Sequence, residues 1–217
     1  MNALTSASLV NNTSTMEAEQ LIEAPEKAPQ LPTGVVAFEK RSVVVPPNRL
    51  TPLRQQWEKI CETVVKNMKL QIRMNTKKKT VDVRECSETE DRSALQRTCD
   101  FLKAFMLGFG VEDAIAMLRL DDLFLETFQV KDVKNLQGDH LSRCIARISG
   151  EKGKTKNAIE NATKTRIILA DSTIHLMGSY ANMRSARDAI CSLIMGTPPG
   201  KLYSQLKYVS KRLAEKF

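Results

Sequence analysis

The chain has 217 residues, 42% of them hydrophobic, which is enough apolar material for one medium domain or two small ones. Its formal net charge of +8 favours a polyanionic partner, although the composition fits an ordinary basic protein equally well. The five cysteines include no Cys-x-x-Cys pair and are accompanied by only two histidines, so we expect no zinc site and a reducing compartment.

The N-terminal region is predicted to be a disordered arm that is not a signal peptide. The first residues lack the basic start and apolar run of a signal peptide, and charged residues interrupt the most apolar stretch, 101–120. Secretion and membrane spanning are therefore disfavoured. Residues 1–38 are rich in Ser, Thr, Asn, Glu and Pro and show no apolar periodicity, which predicts a disordered arm.

The first predicted module, residues 39–121, alternates strands and helices. Apolar residues recur at helical spacing in two stretches, and they alternate with polar residues on both sides of the lysine-rich turn 76–79, which predicts a β-hairpin. The predicted elements are, in chain order, a strand at 43–45, a helix at 53–68, hairpin strands at 70–75 and 81–84, and a helix at 95–109.

The second predicted module, residues 122–197, follows a joint that ends in the acidic pair Asp121 and Asp122. Its predicted elements are a strand at 123–130, a helix at 141–149 with Asp139 as N-cap, a glycine loop at 150–153, a helix at 154–163, strands at 166–171 and 173–178, and a helix at 183–195. The order matches that of the first module apart from one helix and the glycine loop, which suggests a duplication. Residues 198–217 follow as a C-terminal tail.

The glycine loop is the feature that points to a binding site. Paired glycines let the backbone turn sharply and let phosphate oxygens approach without a Cβ in the way. The N–H groups at the start of the next helix point toward that anion, and the helix dipole favours it. Lys154 and Lys156 add positive charge nearby. We predict that the RNA backbone is held by the four loop residues, Gly150, Glu151, Lys152 and Gly153.

Two other interpretations of this loop have to be weighed. A glycine after a helix is commonly part of a tight helix-to-helix turn and nothing more. The surrounding order of elements and the lysines favour binding instead. Gly153, Lys154 and Thr155 also resemble the end of a Walker A loop, but that motif requires a glycine where the chain has Ile148, and it follows a strand. Nucleotide hydrolysis is therefore not expected.

Further basic side chains are predicted to line a groove beside the loop. Arg143 and Arg147 are four residues apart on the preceding helix, and Arg166 opens the strand on the other side. Each alone is more commonly a solvated surface charge. The sequence offers no catalytic triad, metal-ligand spacing or cofactor loop. We therefore predict that the protein is not an enzyme and has neither a metal site nor a cofactor.

The net charge is unevenly distributed along the chain. Residues 1–40 carry 2 basic and 5 acidic side chains, residues 41–130 carry 15 and 13, and residues 131–217 carry 16 and 7. Phosphate contacts supply much of the affinity for RNA. RNA binding is therefore expected mainly in the second module. The lysines at 77–79 are more simply a solvated hairpin tip, with contact to an RNA backbone as the alternative.

Residues 146–159, ARISGEKGKTKNAI, resemble the signature of KH domains, in which a G-x-x-G loop is followed by Lys-Thr and an apolar helix position. Ser149 and Lys156 stand where that signature has apolar residues, a difference that bears on base preference and leaves the backbone clamp intact. The resemblance implies an α+β fold with two KH-like modules of type I order. Each module would be a three-stranded sheet packed by helices, and the first would lack G-x-x-G.

The tandem modules and the closing run 196–203, GTPPGKLY, resemble the Partner of NOB-one family of small-subunit ribosome assembly factors. This resemblance implies a ribosome biogenesis factor that binds the single-stranded 3′ region of precursor small-subunit rRNA and helps to position a PIN-domain endonuclease. Its implied partners include other pre-40S assembly factors, and its implied location is the nucleolus and nucleus, with shuttling to the cytoplasm. The alternative is a general single-stranded RNA or mRNA-binding regulator that uses the same clamp.

Overall fold

Two three-stranded antiparallel sheets, one in each half of the chain, organise the structure. The computed structural model describes residues 38–89, 91 and 93–215, so the predicted arm lies outside the described residues except for Phe38. The strands are β1 (Lys40–Val44), β2 (Gln71–Asn75) and β3 (Thr80–Arg84) in the first sheet, and β4 (Phe124–Gln129), β5 (Arg166–Ala170) and β6 (Thr173–Gly178) in the second. The last strand of each half is central, because β3 pairs with β1 and β2, and β6 pairs with β4 and β5.

The helices of the first half correct the predicted element count. They are α1 (Leu50–Gln55), α2 (Trp57–Met68), α3 (Ala94–Leu107) and α4 (Val111–Arg119), after a 3-10 turn at Pro47–Arg49. The prediction of one helix at 53–68 is wrong, because the backbone leaves helical geometry at Gln56, with φ −107° and ψ 10°. Apolar spacing does not reveal this break, since Leu53, Ile60 and Val64 are all buried on the same side. The first module therefore has two helices between its first and second strands, as predicted for the second module, and lacks the glycine loop between them.

The second half repeats this order. Its helices are α5 (Val130–Val133), α6 (Gly138–Ser149), α7 (Lys154–Thr163), α8 (Tyr180–Met195) and α9 (Pro199–Ala214), with a 3-10 turn at Glu151–Gly153. The expectation that Asp139 is an N-cap is wrong, because α6 begins at Gly138 and Gln137 occupies the capping position. Asp139 instead lies in the first turn, where a negative charge interacts favourably with the helix dipole.

Residues 198–217, set apart as a tail in the sequence analysis, contain α9. Pro198 and Pro199 begin the helix, which suits a residue that has a fixed φ and no N–H to leave unsatisfied. Leu202 and Leu206 are buried in the second core, against α7 and α8. The helix is therefore part of the second module's packing.

Each sheet packs one face against its own helices. In the first core, Val81 and Val83 of the central strand meet buried side chains of α2 and α3. In the second core, Ile167, Ile174 and Leu176 meet buried side chains of α6, α7 and α8. Full burial of such a side chain contributes roughly 1.5–3 kcal/mol. The expected α+β fold with two modules of type I order is confirmed.

The outer face of the second sheet packs against the first module. Side chains alternate along β5 and β6, so Ile168 and Met177 face away from the second core and join the first core. The approach is close at the end of α3, where a Cβ on Gly108 would lie 3.2 Å from Ile168 Cγ2. Phe38–Phe217 accordingly forms one compact unit.

Candidate nucleic-acid interface

The loop between α6 and α7 is a sharp reversal made of left-handed residues. Gly150, Lys152 and Gly153 have φ angles of +73°, +52° and +78°. The Gly150 N–H donates to the Ala146 carbonyl at 2.8 Å and closes α6, and the Gly153 N–H donates to the Gly150 carbonyl at 3.3 Å. Glycine adopts these angles without steric cost. Lys152 holds a conformation that is uncommon for a residue with a side chain.

The two glycines of the loop differ in their surroundings. A Cβ on Gly150 would lie 2.2 Å from Thr155 Oγ1 and 2.8 Å from the Thr155 backbone nitrogen, whereas a Cβ on Gly153 would meet nothing closer than 3.8 Å. Gly150 therefore permits the close approach of the loop to the first turn of α7. Thr155 is buried beneath it, and its hydroxyl lies 3.3 Å from the Tyr203 hydroxyl of α9.

The start of α7 is suited to an anion. Gly153 occupies its N-cap position, so the first-turn N–H groups have no side-chain acceptor among the described residues. These N–H groups and the helix dipole favour a phosphate. Lys152 and Lys154 are exposed beside them, and Lys154 Nζ lies 3.9 Å from Glu151 Oε2. An exposed pair at this distance contributes little, so Lys154 remains available to a phosphate.

Lys156 occupies the side of α7 that faces β5. Its Nζ lies 3.8 Å from Oε1 of the buried Glu160, and that oxygen accepts a hydrogen bond from the Ile167 N–H at 2.7 Å. Glu160 thus holds both Lys156 and the edge strand in place. Neither Glu160 nor Thr155 is predicted from the sequence to support this site. The spacing of four between Lys156 and Glu160 does indicate an ion pair along one side of the helix.

The structure separates the three arginines that were predicted to line one groove. Arg147 donates from Nη1 to the Leu193 carbonyl of α8 at 3.3 Å, and Arg143 donates from Nε to the Asp139 carbonyl of its own helix at 3.3 Å. Residues two positions from Arg147 lie roughly 160° around the helix, so Ile145 and Ser149 form the flank opposite α8.

Arg166 is farthest from the expected arrangement. Its Nε donates to Asp113 Oδ1 of α4 at 2.8 Å, on the face of β5 turned away from the second core. Its placement needs correction, because neighbouring residues on a strand point to opposite faces and Ile167 is the one turned toward the helices. The loop residues and Lys154 lie together, whereas Lys156 pairs with Glu160 further along α7 and Arg166 pairs with Asp113 between the modules.

Two other features, a metal centre and a membrane-spanning helix, are absent from the described part of the chain. Residues 38–89, 91 and 93–215 contain no group of three His, Cys, Asp or Glu side chains that could hold a metal ion. None of their helices has the length and apolar character needed to cross a membrane. The buried His175 lies on the outer face of the second sheet, 2.8 Å from Thr127 Oγ1, and burial lowers its pKa.

Comparison with known proteins identifies relatives of both modules. A family model described as a eukaryotic type KH domain (KH domain type I) matches residues 127–211. The pre-rRNA-processing protein PNO1 of Debaryomyces hansenii is 57% identical over 182 residues, which cover 84% of this chain and 71% of that protein. The RNA-binding protein PNO1 of Oryzias latipes is 51% identical over 208 residues, which cover 94% of this chain and 84% of that protein.

Solved archaeal structures share the fold. A chain in the complex of a/eIF2alpha, aDim2p and rRNA from Pyrococcus horikoshii OT3 matches with a TM-score of 0.70 and 25% identity, over 82% of this chain and 97% of that chain. Dim2p from the same organism matches with a TM-score of 0.67 and 26% identity, over 78% of this chain and 99% of that chain. These matches span both sheets.

Proposed function

Since the chain belongs to the PNO1 (Partner of NOB-one) family of pre-rRNA-processing proteins, we propose that it is an RNA-binding ribosome biogenesis factor whose Gly150–Gly153 loop holds the backbone of single-stranded pre-rRNA. One observation carries the proposal. Gly150 lets the loop lie against Thr155, so the uncapped N–H groups of α7 and the exposed Lys152 and Lys154 face the same space.

The proposed RNA is the 3′ region of precursor small-subunit rRNA. The family membership supports a role in rRNA processing, and the likeness to a chain solved in an aDim2p–rRNA complex supports direct contact with rRNA. In our proposal the protein is not itself an enzyme. It positions a PIN-domain endonuclease on this RNA within pre-40S particles, together with other assembly factors. It acts in the nucleolus and nucleus and shuttles to the cytoplasm.

The loop is tested by placing negative charge in the phosphate path of the full chain. The variant Glu151→Asp/Lys152→Asp keeps both glycines, and Asp tolerates the left-handed φ of residue 152 better than most residues. We expect its affinity for a single-stranded RNA of the rRNA 3′ end to fall about tenfold or more, because the loop loses the Lys152 cation and gains a second carboxylate beside the one at residue 151. The slope of log affinity against log salt should fall by about 0.7 for each lost phosphate contact.

The matched control is Lys131→Asp, which changes an exposed lysine of α5 by the same charge. Fluorescence anisotropy over a salt titration compares the three proteins, after circular dichroism confirms equal folding. Equal affinities and salt slopes for the loop variant and the control would remove the loop from the proposal.

The ribosomal role is tested in cells by sedimentation. We expect the tagged full chain to co-sediment with pre-40S particles together with a PIN-domain endonuclease, and to be found in nucleoli and cytoplasm. Migration with polysomes alone would favour the general mRNA-binding alternative.

A further inference from the structure

The outer face of the first sheet is open and polar. The register of β1, β2 and β3 places alternate residues on this face, which we call the outer face of sheet 1. Its members are Lys40, Ser42, Val44, Gln71, Arg73, Asn75, Thr80, Asp82 and Arg84. Lys40 and Arg73 keep 51% and 72% of their side chains exposed, so solvent reaches the face along both edge strands.

A buried carboxylate at the centre of this face fixes its cations. Asp82 Oδ2 lies 3.1 Å from Lys40 Nζ and 3.4 Å from Arg73 Nη2, and its Oδ1 accepts from the Ser42 hydroxyl at 2.8 Å. The Ser42 hydrogen bond, with those from Lys40 and Arg73, lowers the pKa of Asp82 to about 2, so the carboxylate stays ionised at neutral pH. The cations on the two edge strands are thus held at fixed positions on either side of it.

Further positive charge continues from this face to the hairpin tip. Arg84 lies over the Phe38 ring, 5.4 Å from its centroid. The tip carries exposed lysines at 77–79, and Asn75 Oδ1 fixes the turn by accepting from the Lys78 N–H at 3.1 Å. Within the described residues none of these lysines forms a salt bridge. The near-neutral charge of the first module therefore hides a basic face, because many of the compensating acids lie in its loops, at Glu85, Glu88, Asp91 and Asp121.

The equivalent face of the second sheet is partly covered. Leu125, Ile168 and Met177 lie on it and pack against the first module, while Thr127 and Gln129 of the same face are exposed. The two modules share a topology, but the outer face of sheet 2 has an apolar part that is covered, whereas the outer face of sheet 1 is basic and exposed. Because the outer face of sheet 1 lacks such an apolar part, we expect it to bind a partner that is chemically different from a protein module.

The composition of this face favours RNA over a protein. Protein interfaces have cores enriched in aromatic residues and depleted in Lys and Ser, whereas Val44 is the one apolar side chain here. Arg, Lys, Ser, Thr, Asn and Gln are the side chains that contact phosphate and sugar. None of the nine residues is aromatic, and the Phe38 ring beside them lies against Arg84, which favours helical RNA recognised by shape and backbone.

We propose that the outer face of sheet 1 and the lysines at 77–79 form a second RNA-binding surface, which contacts the backbone of a double-helical RNA segment. The inference rests on the proposed function and extends it. The loop at Gly150–Gly153 holds a single strand, and the first module holds a neighbouring stem.

Two RNA probes and the full chain test this proposal. The probes share one single-stranded 3′ tail, and only one of them carries a hairpin stem beside it. The face variant replaces four cations by alanine: Arg73, Lys77, Lys78 and Arg84. The matched control replaces four exposed cations on α1, α2 and α3: Arg54, Lys59, Lys66 and Lys103. A charge-retaining variant, Arg73→Lys/Arg84→Lys, checks that charge and not side-chain shape is responsible.

For the face variant we expect the affinity for the stem-containing probe to fall about tenfold relative to the control, with a salt slope smaller by about 0.9 per lost contact. Its affinity for the tail alone should stay within twofold of wild type, and the charge-retaining variant should bind both probes normally. Equal binding of the stem probe by the face variant and the control would overturn the proposal, and so would equal losses on both probes.

The outcomes also separate this proposal from the proposed function. If the wild-type chain bound neither probe, the proposed function would fail. If the loop variant lost the tail but the face variant kept the stem, only the second surface would fail. Loss of pre-40S co-sedimentation by the face variant with unchanged RNA affinities would assign the face to a protein partner and overturn the RNA proposal.

Discussion

Gly150 and Gly153 lie at the two ends of the same turn, but their backbone conformations differ in how well they tolerate a side chain. Gly150 has φ +73° and ψ 175°, in a region that only glycine populates. Gly153 has φ +78° and ψ 8°, the ordinary left-handed region that other residues enter at a cost of roughly 1–2 kcal/mol. The first glycine is therefore needed for both its angles and its lack of volume, and the second for its angles alone.

We expect Gly150→Ala to lower the free energy of unfolding by more than Gly153→Ala. The first change adds a methyl group 2.2 Å from Thr155 Oγ1 in a backbone conformation that costs roughly 1–3 kcal/mol, so Thr155 and the start of α7 must move. The second change adds a methyl group in ordinary van der Waals contact, 3.8 Å from Asn157 Nδ2. Urea unfolding of both variants measures the difference, and equal losses of stability would contradict this account of the turn.

At the scale of the element, α9 links the C-terminal segment to the loop. Leu202 and Leu206 are buried in the second core, and the Tyr203 hydroxyl lies 3.3 Å from Thr155 beneath Gly150. The helix packs along the side of α7 that faces away from β5. It therefore supports the glycine turn from that side of α7.

We expect Leu202→Ala to destabilise the protein by about 2–5 kcal/mol, because it leaves a cavity under α7 and α8. Tyr208→Ala, on the exposed side of the same helix, should change stability by no more than about 0.5 kcal/mol. Thermal unfolding followed by circular dichroism compares the two. Small effects from both changes would mean that α9 is not part of the folded module.

The elements that sequence predicted are those whose signal is local. Alternating residues on both sides of 76–79 predicted the hairpin, and helical spacing predicted α3, α6, α7 and α8. The break at Gln56 leaves the apolar spacing unchanged, so periodicity alone did not reveal it. The prolines at 198 and 199 suggest the end of the second module. Because proline also begins helices, the same residues are compatible with the start of α9.

The candidate site also has a part that adjacent residues predict and a part that depends on residues distant in sequence. The G-x-x-G loop is contiguous, so its turn and its lysines were predictable from adjacent residues. The directions of Arg147 and Arg166 depend on α8 and α4, which are distant in sequence and meet these side chains only after folding. Likewise, the basic outer face of sheet 1 is assembled from three strands, and a charge count along the chain averages it with the acids of the intervening loops.

At the scale of the whole molecule, we expect the contact between the two modules to make them unfold together. Ile168 and Met177 of the second sheet belong to the first core, and Gly108 at the end of α3 lies against Ile168. Cutting the chain near residue 122 would expose these apolar side chains to water. Functional tests are therefore better made with full-chain variants than with isolated modules.

Trp57, the single tryptophan, packs on the first core and so reports on the first module alone, whereas circular dichroism reports on the whole chain. We expect Ile190→Ala, in the second core, to lower the midpoint of unfolding equally by both signals, because a shared core makes the transition cooperative. Val64→Ala, in the first core, is the matched control and should also shift both midpoints together. If Trp57 fluorescence kept its wild-type midpoint in Ile190→Ala while circular dichroism did not, the modules would unfold independently. The contact between the modules would then join two separately stable domains, and the packing of Met177 and Ile168 would contribute little to the stability of the first module.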